Sequence, residues 1–164
     1  MSYLLDANTL IEAKNRYYQM HICPGYWTWL TRGKEAGTLA SVGSVGAELR
    51  RGTDDLAQWA VAHADLFMPE SDEATQIAFA EVASHVAKAH AMKAGALDEF
   101  LGGADAWLIA KARVTSTTVV THEQLNPDAR RKFLIPNVCQ HFGVGFINTF
   151  DMLGRLSARF VLAE

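Results

Sequence analysis

Four acidic side chains lie at the ends of predicted strands and helices, where the functional groups of a parallel sheet collect. They are Asp6, Glu48, Asp105 and Glu123. Asp6 directly follows the short apolar run Tyr3–Leu5, which is typical of a buried strand in a parallel sheet. Ligands of open α/β sheets bind beyond the carboxyl ends of the strands. We therefore treat the four carboxylates as candidates for one site.

Each carboxylate also has an ordinary structural interpretation. Asp6 and Asp105 could each cap a helix, Glu48 could be an acidic residue in a first helical turn, and Glu123 could be a turn residue. Converging carboxylates repel one another, so a shared site would need divalent cations. Mg²⁺ prefers oxygen ligands, and two such ions can activate water and stabilise an in-line displacement at phosphorus. The chemistry to test is phosphodiester hydrolysis.

The remaining sequence predicts an alternation of strands and helices. Further strands are predicted at residues 39–45, 67–69, 115–121 and 144–147. Helices are predicted at residues 71–94, 105–112 and 150–162, and a glycine-containing loop at residues 95–104. Such alternation favours an α/β fold with a mostly parallel sheet.

The four acidic residues lie in motifs that resemble one family. These motifs are LLDANTLIE (4–12), Val45 with Glu48 and Leu49, DAWLIAKA (105–112) and VVTHE (119–123). Together they resemble the PIN domain, a metal-dependent nuclease fold found in many prokaryotic toxins. The flanking segments 12–18, 23–30 and 135–144 resemble a PIN subfamily of uncharacterised function. Glu123 departs from the pattern, because the fourth acidic position is usually Asp.

The resemblance implies a fold, a cofactor and a set of site residues. The fold would be a three-layer α/β/α sandwich with a parallel sheet of four or five strands in the order 3-2-1-4-5, forming a single domain over residues 1–164. One or two Mg²⁺ or Mn²⁺ ions would be held by Asp6, Glu48, Asp105 and Glu123, which would also be catalytic. Asn8, Thr9 and Thr121 would orient carboxylates or water.

The same resemblance implies a function and partners. The protein would be an endoribonuclease and the toxin of a type II toxin–antitoxin pair, held inactive by a small antitoxin protein and often homodimeric. A housekeeping RNA-processing nuclease would have the same sequence features. A binding module with a degenerate pocket that holds no metal is the competing class.

Composition and charge limit how RNA could bind. The 164 residues are 49% hydrophobic and 20% charged, with a net charge of −3, which describes one globular domain without a global positive field. RNA affinity would then come from metal ions and local basic residues. The candidates for phosphate contact, otherwise ordinary solvated charges, are Lys14, Arg16, Arg50, Arg51, Arg130, Arg131 and Lys132.

Other sequence features argue against competing classes and predict a location. There is no Gly-x-x-x-x-Gly-Lys-Ser/Thr loop, no Gly-x-Gly-x-x-Gly loop and no His-x-x-x-His pair. Asp6-x-Asn8 lacks the second acid of the Asp-x-Asp motif of haloacid-dehalogenase-type phosphatases. No apolar run approaches a membrane span, and Cys23 and Cys139 have no Cys-x-x-Cys spacing. The sequence predicts a cytoplasmic protein with reduced thiols and no membrane contact.

Overall fold

The apolar run at the start of the chain forms the central strand of the sheet. In the computed structural model, which describes residues 2–162, this strand pairs with a parallel neighbour on each side. The five strands are β1 (Tyr3–Leu5), β2 (Leu39–Val42), β3 (Phe67–Met68), β4 (Thr118–Val120) and β5 (Phe146–Ile147). All pairs are parallel and the order is β3-β2-β1-β4-β5, so the predicted fold class and strand order are confirmed.

Helices flank this sheet and complete the three layers. They are α1 (Ala7–Glu12), α2 (Pro24–Glu35), α3 (Gly43–Arg50), α4 (Asp55–Ala62), α5 (Glu73–Ala87), α6 (Ala96–Gly102), α7 (Asp105–Thr115), α8 (Ile135–Phe142) and α9 (Thr149–Arg155). A π-helical turn, Ala13–Tyr17, continues α1, and a 3₁₀ turn, Ala64–Leu66, precedes β3. Within the described chain, no helix is long and apolar enough to cross a bilayer.

The core lies on both faces of the sheet, as expected for strands buried by helices on each side. Leu4 and Leu5 of β1 and Val119 and Val120 of β4 are all at most 1% exposed. Ile109 of α7 is fully buried and belongs to the same core cluster. This packing holds the carboxyl ends of β1 and β4 side by side.

The second predicted strand is too long, because its last residues begin a helix. β2 ends at Val42, and α3 begins at Gly43. The amide of Ser44 donates a hydrogen bond to Glu70 Oε1 at 2.7 Å, so a carboxylate distant in the chain satisfies the first turn of α3. A Cβ atom at Gly43 would lie 2.8 Å from Glu70 Oε2, which explains the glycine. Glu48 therefore lies in the second turn of α3, so the interpretation of Glu48 as an acidic residue of a first helical turn was wrong.

The segment predicted as a loop at residues 95–104 contains a helix, so that prediction was wrong. Ala96 and Phe100 are one helical turn apart, and both are buried. Gly95 adopts φ +86° before the first turn, which favours glycine there. An apolar pair spaced four residues apart, with Asp98 and Glu99 in the first turn, was the local signal for this helix.

Several predicted boundaries also differ from the structure. The helix predicted at residues 71–94 ends at Ala87, and the strand predicted at 115–121 is shortened because α7 continues through Thr115. β5 is likewise shorter than residues 144–147. The helix predicted at residues 150–162 ends at Arg155, and the chain then leads to Phe160, which packs against Tyr18, Tyr26 and Trp29. Residues 1, 163 and 164 of the predicted domain lie outside the described residues.

Candidate acidic site

Asp6 is a buried carboxylate at the carboxyl end of the central strand. Asp6 is only 2% exposed, and the Thr121 hydroxyl donates a hydrogen bond to Asp6 Oδ2 at 2.9 Å. Asp6 occupies the cap position of α1 without a side-chain capping hydrogen bond of normal geometry. The ordinary interpretation of Asp6 as a helix cap therefore does not account for its burial.

The two threonines predicted to support Asp6 act differently. Thr121 follows β4 and bonds to the Asp6 carboxylate, which orients it. Thr9 donates to the backbone carbonyl oxygen of Asp6 at 2.7 Å and so supports the first turn of α1. Asn8 is exposed and faces the cavity described below.

Asp105 begins α7 at the same edge of the sheet. Because α7 leads back to the start of β4, the first turn of α7 lies near the carboxyl ends of the strands. The pKa of Asp105 is raised to about 7. Burial is the largest cause, and the nearby charges of Asp6, Glu123 and Glu48 contribute to the same rise. Asp105 is therefore electrostatically coupled to the other three predicted site residues.

The pKa of Asp6 is raised in the same way. The pKa of Asp6 is raised to about 6, and burial is the largest cause. The hydrogen bond from Thr121 opposes this rise, because it favours the ionised form. The charges of Glu123 and Glu48 raise this pKa as well, whereas the amide of Asn8 lowers it. The protein therefore gathers carboxylates from different elements at an unfavourable electrostatic cost, which is common at functional sites.

Glu48 extends from α3 toward the start of α7. Its Oε1 accepts a hydrogen bond from the Ala104 amide at 3.1 Å. A Cβ at Gly103 would be in ordinary contact with Glu48 Oε1 at 3.6 Å, and its tighter contact would be with the Glu99 carbonyl oxygen at 3.3 Å. The hydrogen bond links α3 to the turn that positions Asp105.

Glu123 is held by groups of the protein itself. Lys132 forms an ion pair with Oε1, and the Ile135 amide donates to Oε2 at 2.7 Å. The Glu123 amide also donates to Thr121 Oγ1 at 3.1 Å, so the loop after β4 is fixed beside Asp6. The longer Glu side chain thus reaches the first turn of α8, a contact that its sequence position alone does not reveal.

A cavity of about 170 Å³ is lined by two of these four carboxylates, Asp105 and Glu123, and not by Asp6 or Glu48. Asp105, Glu123, Asn8 and Lys132 line it together with Glu99. Glu99 is an additional acidic residue that the sequence analysis missed, because it falls in the segment predicted to be a loop. Two consecutive acidic residues, Asp98 and Glu99, are typical of a first helical turn, and this pattern could have indicated that Glu99 lies on a helix.

The seven basic residues predicted to contact RNA differ in their contacts, and only Lys132 among them lines the acidic cavity. Lys14 bonds to Asp54 at 2.7 Å, and Arg16 pairs with Glu12 at 3.5 Å. The other five basic residues are all exposed, and three of them also make contacts. Arg50 lies over the Phe67 ring, Arg130 donates to the carbonyl oxygens of Pro127 and Ala129, Lys132 pairs with Glu123, and Arg51 and Arg131 are exposed.

The donor set fits a hard divalent cation in charge and in chemistry. It consists of carboxylate oxygens whose mutual repulsion a cation would relieve. Among residues 2–162, no three His, Cys, Asp or Glu side chains are already arranged around one ion position. Both oxygens of Glu123 have partners, whereas Asp6 Oδ2 and Glu48 Oε1 each accept one hydrogen bond.

Fold and site together define the class: a parallel α/β/α sandwich with coupled carboxylates at the carboxyl edge of its sheet. The chain belongs to the family described as a domain of unknown function, DUF4411, whose model matches residues 3–160. Neither the curated proteins nor the solved structures contain a match to this chain.

Proposed function

We propose that this protein is a divalent-metal-dependent endoribonuclease that hydrolyses RNA phosphodiester bonds. The observation that carries the proposal is the electrostatic coupling of Asp6 and Asp105 with Glu48 and Glu123, from four separate parts of the chain. Desolvated like charges destabilise the fold, and such arrangements cluster at functional sites. The resemblance of the surrounding motifs to PIN domains supports the choice of RNA as the substrate.

The protein's own residues would prepare the site for the reaction. Thr121 orients the Asp6 carboxylate, and the Ala104 amide orients Glu48. Bound Mg²⁺ or Mn²⁺, one ion or two, would supply a hydroxide nucleophile and neutralise charge at phosphorus. Asp6, Glu48 and Asp105 would hold the cation. Glu123, the fourth proposed metal-binding and catalytic residue, would join them directly or through water.

The test of this proposal is RNA cleavage with defined carboxylate variants. We expect Asp6→Asn and Asp105→Asn to abolish cleavage while remaining folded, because an amide removes a negative ligand without changing the volume. Asp98→Asn is the matched control, since Asp98 is an exposed carboxylate on α6. Undiminished cleavage by either site variant, or cleavage in excess chelator, would contradict the proposal.

The biological role we propose is that of a toxin in a type II toxin–antitoxin pair. A small antitoxin would bind near the acidic cavity, and the toxin would act as a homodimer in the cytoplasm. A housekeeping RNA-processing nuclease is the alternative with the same chemistry. Co-purification from native cells and the identity of the neighbouring gene would separate these roles, and unaffected growth on expression of an active nuclease would exclude the toxin role.

One observation favours a second candidate, a binding module whose pocket holds no metal. Lys132 already provides a positive charge to Glu123, and it lowers the pKa of Asp105. In such a module, Lys132 would be the permanent counter-ion of the carboxylates. Calorimetry with Mn²⁺ distinguishes the candidates, since a nuclease should give heat that Asp105→Asn removes and a metal-free module should not.

A further inference from the structure

A second cavity, of about 610 Å³, opens beside the acidic site where β4 and β5 end. Thr121 and Glu123 line it, and Glu123 also lines the acidic cavity, so the two cavities adjoin at Glu123. Its volume lies within the range of roughly 300–1,000 Å³ that is typical of small-molecule sites. A chain that presents one phosphate to the carboxylates could place a neighbouring group in this cavity.

One exposed aromatic ring, that of Phe150, lines this cavity, and a second, that of Tyr17, packs against it. Phe150 of α9 lines it and is 48% exposed, and it packs edge to face against Tyr17, which is 54% exposed, with ring centroids 5.2 Å apart. Tyr17 reaches this position from the π-helical turn after α1, and such turns are frequent at functional sites. Aromatic rings exposed at the mouth of a cavity commonly mark a contact surface.

Polar groups surround the aromatic pair. The His122 ring lies 6.0 Å from that of Phe150, and its Nε2 is 3.2 Å from the hydroxyl of the buried Thr149, which fixes the imidazole. Asn148 and Arg155 also line the cavity. The cavity therefore combines ring faces, hydrogen-bonding groups and one guanidinium group, although the carboxylates of Glu123 and Asp151 face it too.

We propose that this cavity is a subsite for one unpaired base of an RNA strand, next to the phosphate held at the acidic site. The inference rests on the proposed nuclease function and adds to it the place where a base next to the reacting phosphate is held. The base would stack on the ring of Phe150, and the ring of Tyr17, which lies at 83° to that of Phe150, would then be roughly perpendicular to the base. His122 would meet the edge of the base, and Arg155 would contact a flanking phosphate. Base stacking on aromatic rings is the usual way in which single strands are held, and a paired base is not available for it.

The test is the binding of a short fluorescent oligouridine, followed by anisotropy with Ca²⁺ present, by the full-length protein. We expect Phe150→Ala combined with Tyr17→Ala to weaken binding by about tenfold or more, since stacking is worth ~1–3 kcal/mol per base. Phe150→Tyr should retain binding, because it keeps the ring. Binding of the same sequence as a duplex should be weak and should not depend on either aromatic residue.

The matched control is Val61→Ala, which shortens another exposed apolar side chain. Val61 lies on α4, which leads to the start of β3, and so it is near the opposite edge of the sheet. Thermal unfolding of each variant shows whether it is folded. Arg155→Gln should weaken binding of the single strand and lower the salt dependence by about one unit of slope.

The outcomes separate this inference from the nuclease proposal. Unchanged oligouridine binding by the folded aromatic variants, with the wild type cleaving RNA, would overturn the subsite alone. Aromatic-dependent oligouridine binding by a wild type that cleaves no RNA would support the subsite and contradict the nuclease. If a protein co-purifies with the wild type but not with Phe150→Ala, and oligouridine binding is unchanged, this surface binds a protein partner and the inference is overturned.

Discussion

The ammonium group of Lys132 forms an ion pair with the carboxylate of Glu123 at the rim of the acidic cavity. This contact raises the pKa of Lys132, and the charges of Asp105 and Asp6 contribute to the same shift. In return, Lys132 lowers the pKa of Asp105. Lys132 thus acts as an internal counter-ion. A metal ion bound nearby would interact with the same carboxylates as Lys132.

Lys132→Met should tighten the binding of Mn²⁺, because it removes a positive charge next to the carboxylates that would hold the metal. The charge of Lys132 is screened by water, since its side chain is half exposed, so we expect the affinity to rise by about tenfold, or about 1.4 kcal/mol. Calorimetric titration measures this directly. Arg131→Met is the control, since Arg131 is an exposed cation at the adjacent position, and an equal effect of both variants would refute the specific competition.

Asp105→Asn should stabilise the metal-free protein at neutral and alkaline pH. The folded-state pKa of about 7 lies above the ordinary value of 3.8, so the wild type loses stability as pH rises from about 4 through 7. The variant has no charge to desolvate there, and its advantage should be of the order of 1–3 kcal/mol at pH 8. The advantage should disappear below about pH 4, where the wild-type carboxyl group is protonated in both states.

Thermal unfolding with chelator at several pH values checks this expectation. Asp98→Asn is again the control, because an exposed carboxylate should give no comparable pH-dependent gain. A stability difference that grows as pH falls would have the wrong sign and would contradict the raised pKa.

Thr121→Val should move metal binding to higher pH. The Thr121 hydroxyl donates to Asp6 Oδ2, which favours the ionised form and lowers the Asp6 pKa. Without that hydroxyl, the pKa of Asp6 should rise above about 6, so Mn²⁺ affinity should fall most below pH 7 and recover as pH increases. Thr121→Ser keeps the donor and should keep the wild-type pH profile. A uniform loss of affinity at every pH would indicate a packing defect instead.

Arg50→Ala combined with Arg51→Ala should weaken binding to all RNA sequences without changing which bonds are cut. Each lost phosphate contact should lower the slope of the salt dependence by about one unit. Arg50 also lies 5.7 Å from the centroid of the Phe67 ring, so Arg51→Ala alone separates RNA contact from this packing. A cleavage map that changes in the double variant would show that these arginines read sequence.

The sheet was predictable because its signals are local and redundant. Apolar runs such as Tyr3–Leu5 and the β-branched residues before Thr121 predict strands, and parallel strands place their carboxyl ends at one edge. The helix Ala96–Gly102 was missed because glycines lie on both sides of the apolar pair Ala96 and Phe100, and such glycines are typical of a loop. The boundary between β2 and α3 was missed for a different reason, since Glu70 supports that helix from 26 residues away.

Local sequence patterns indicated the alternating strands and helices, the strand that Asp6 follows and the carboxylates at the ends of predicted elements, because these depend on neighbouring residues. The strand order was implied by the resemblance of the motifs to PIN domains and not by any local pattern. Only the tertiary structure decided what each carboxylate contacts. Glu123 meets Lys132 and the Ile135 amide, and Phe150 meets Tyr17, through loops and turns whose paths are set by packing. Contacts between residues distant in the chain depend on how whole elements pack, and no local pattern encodes that packing.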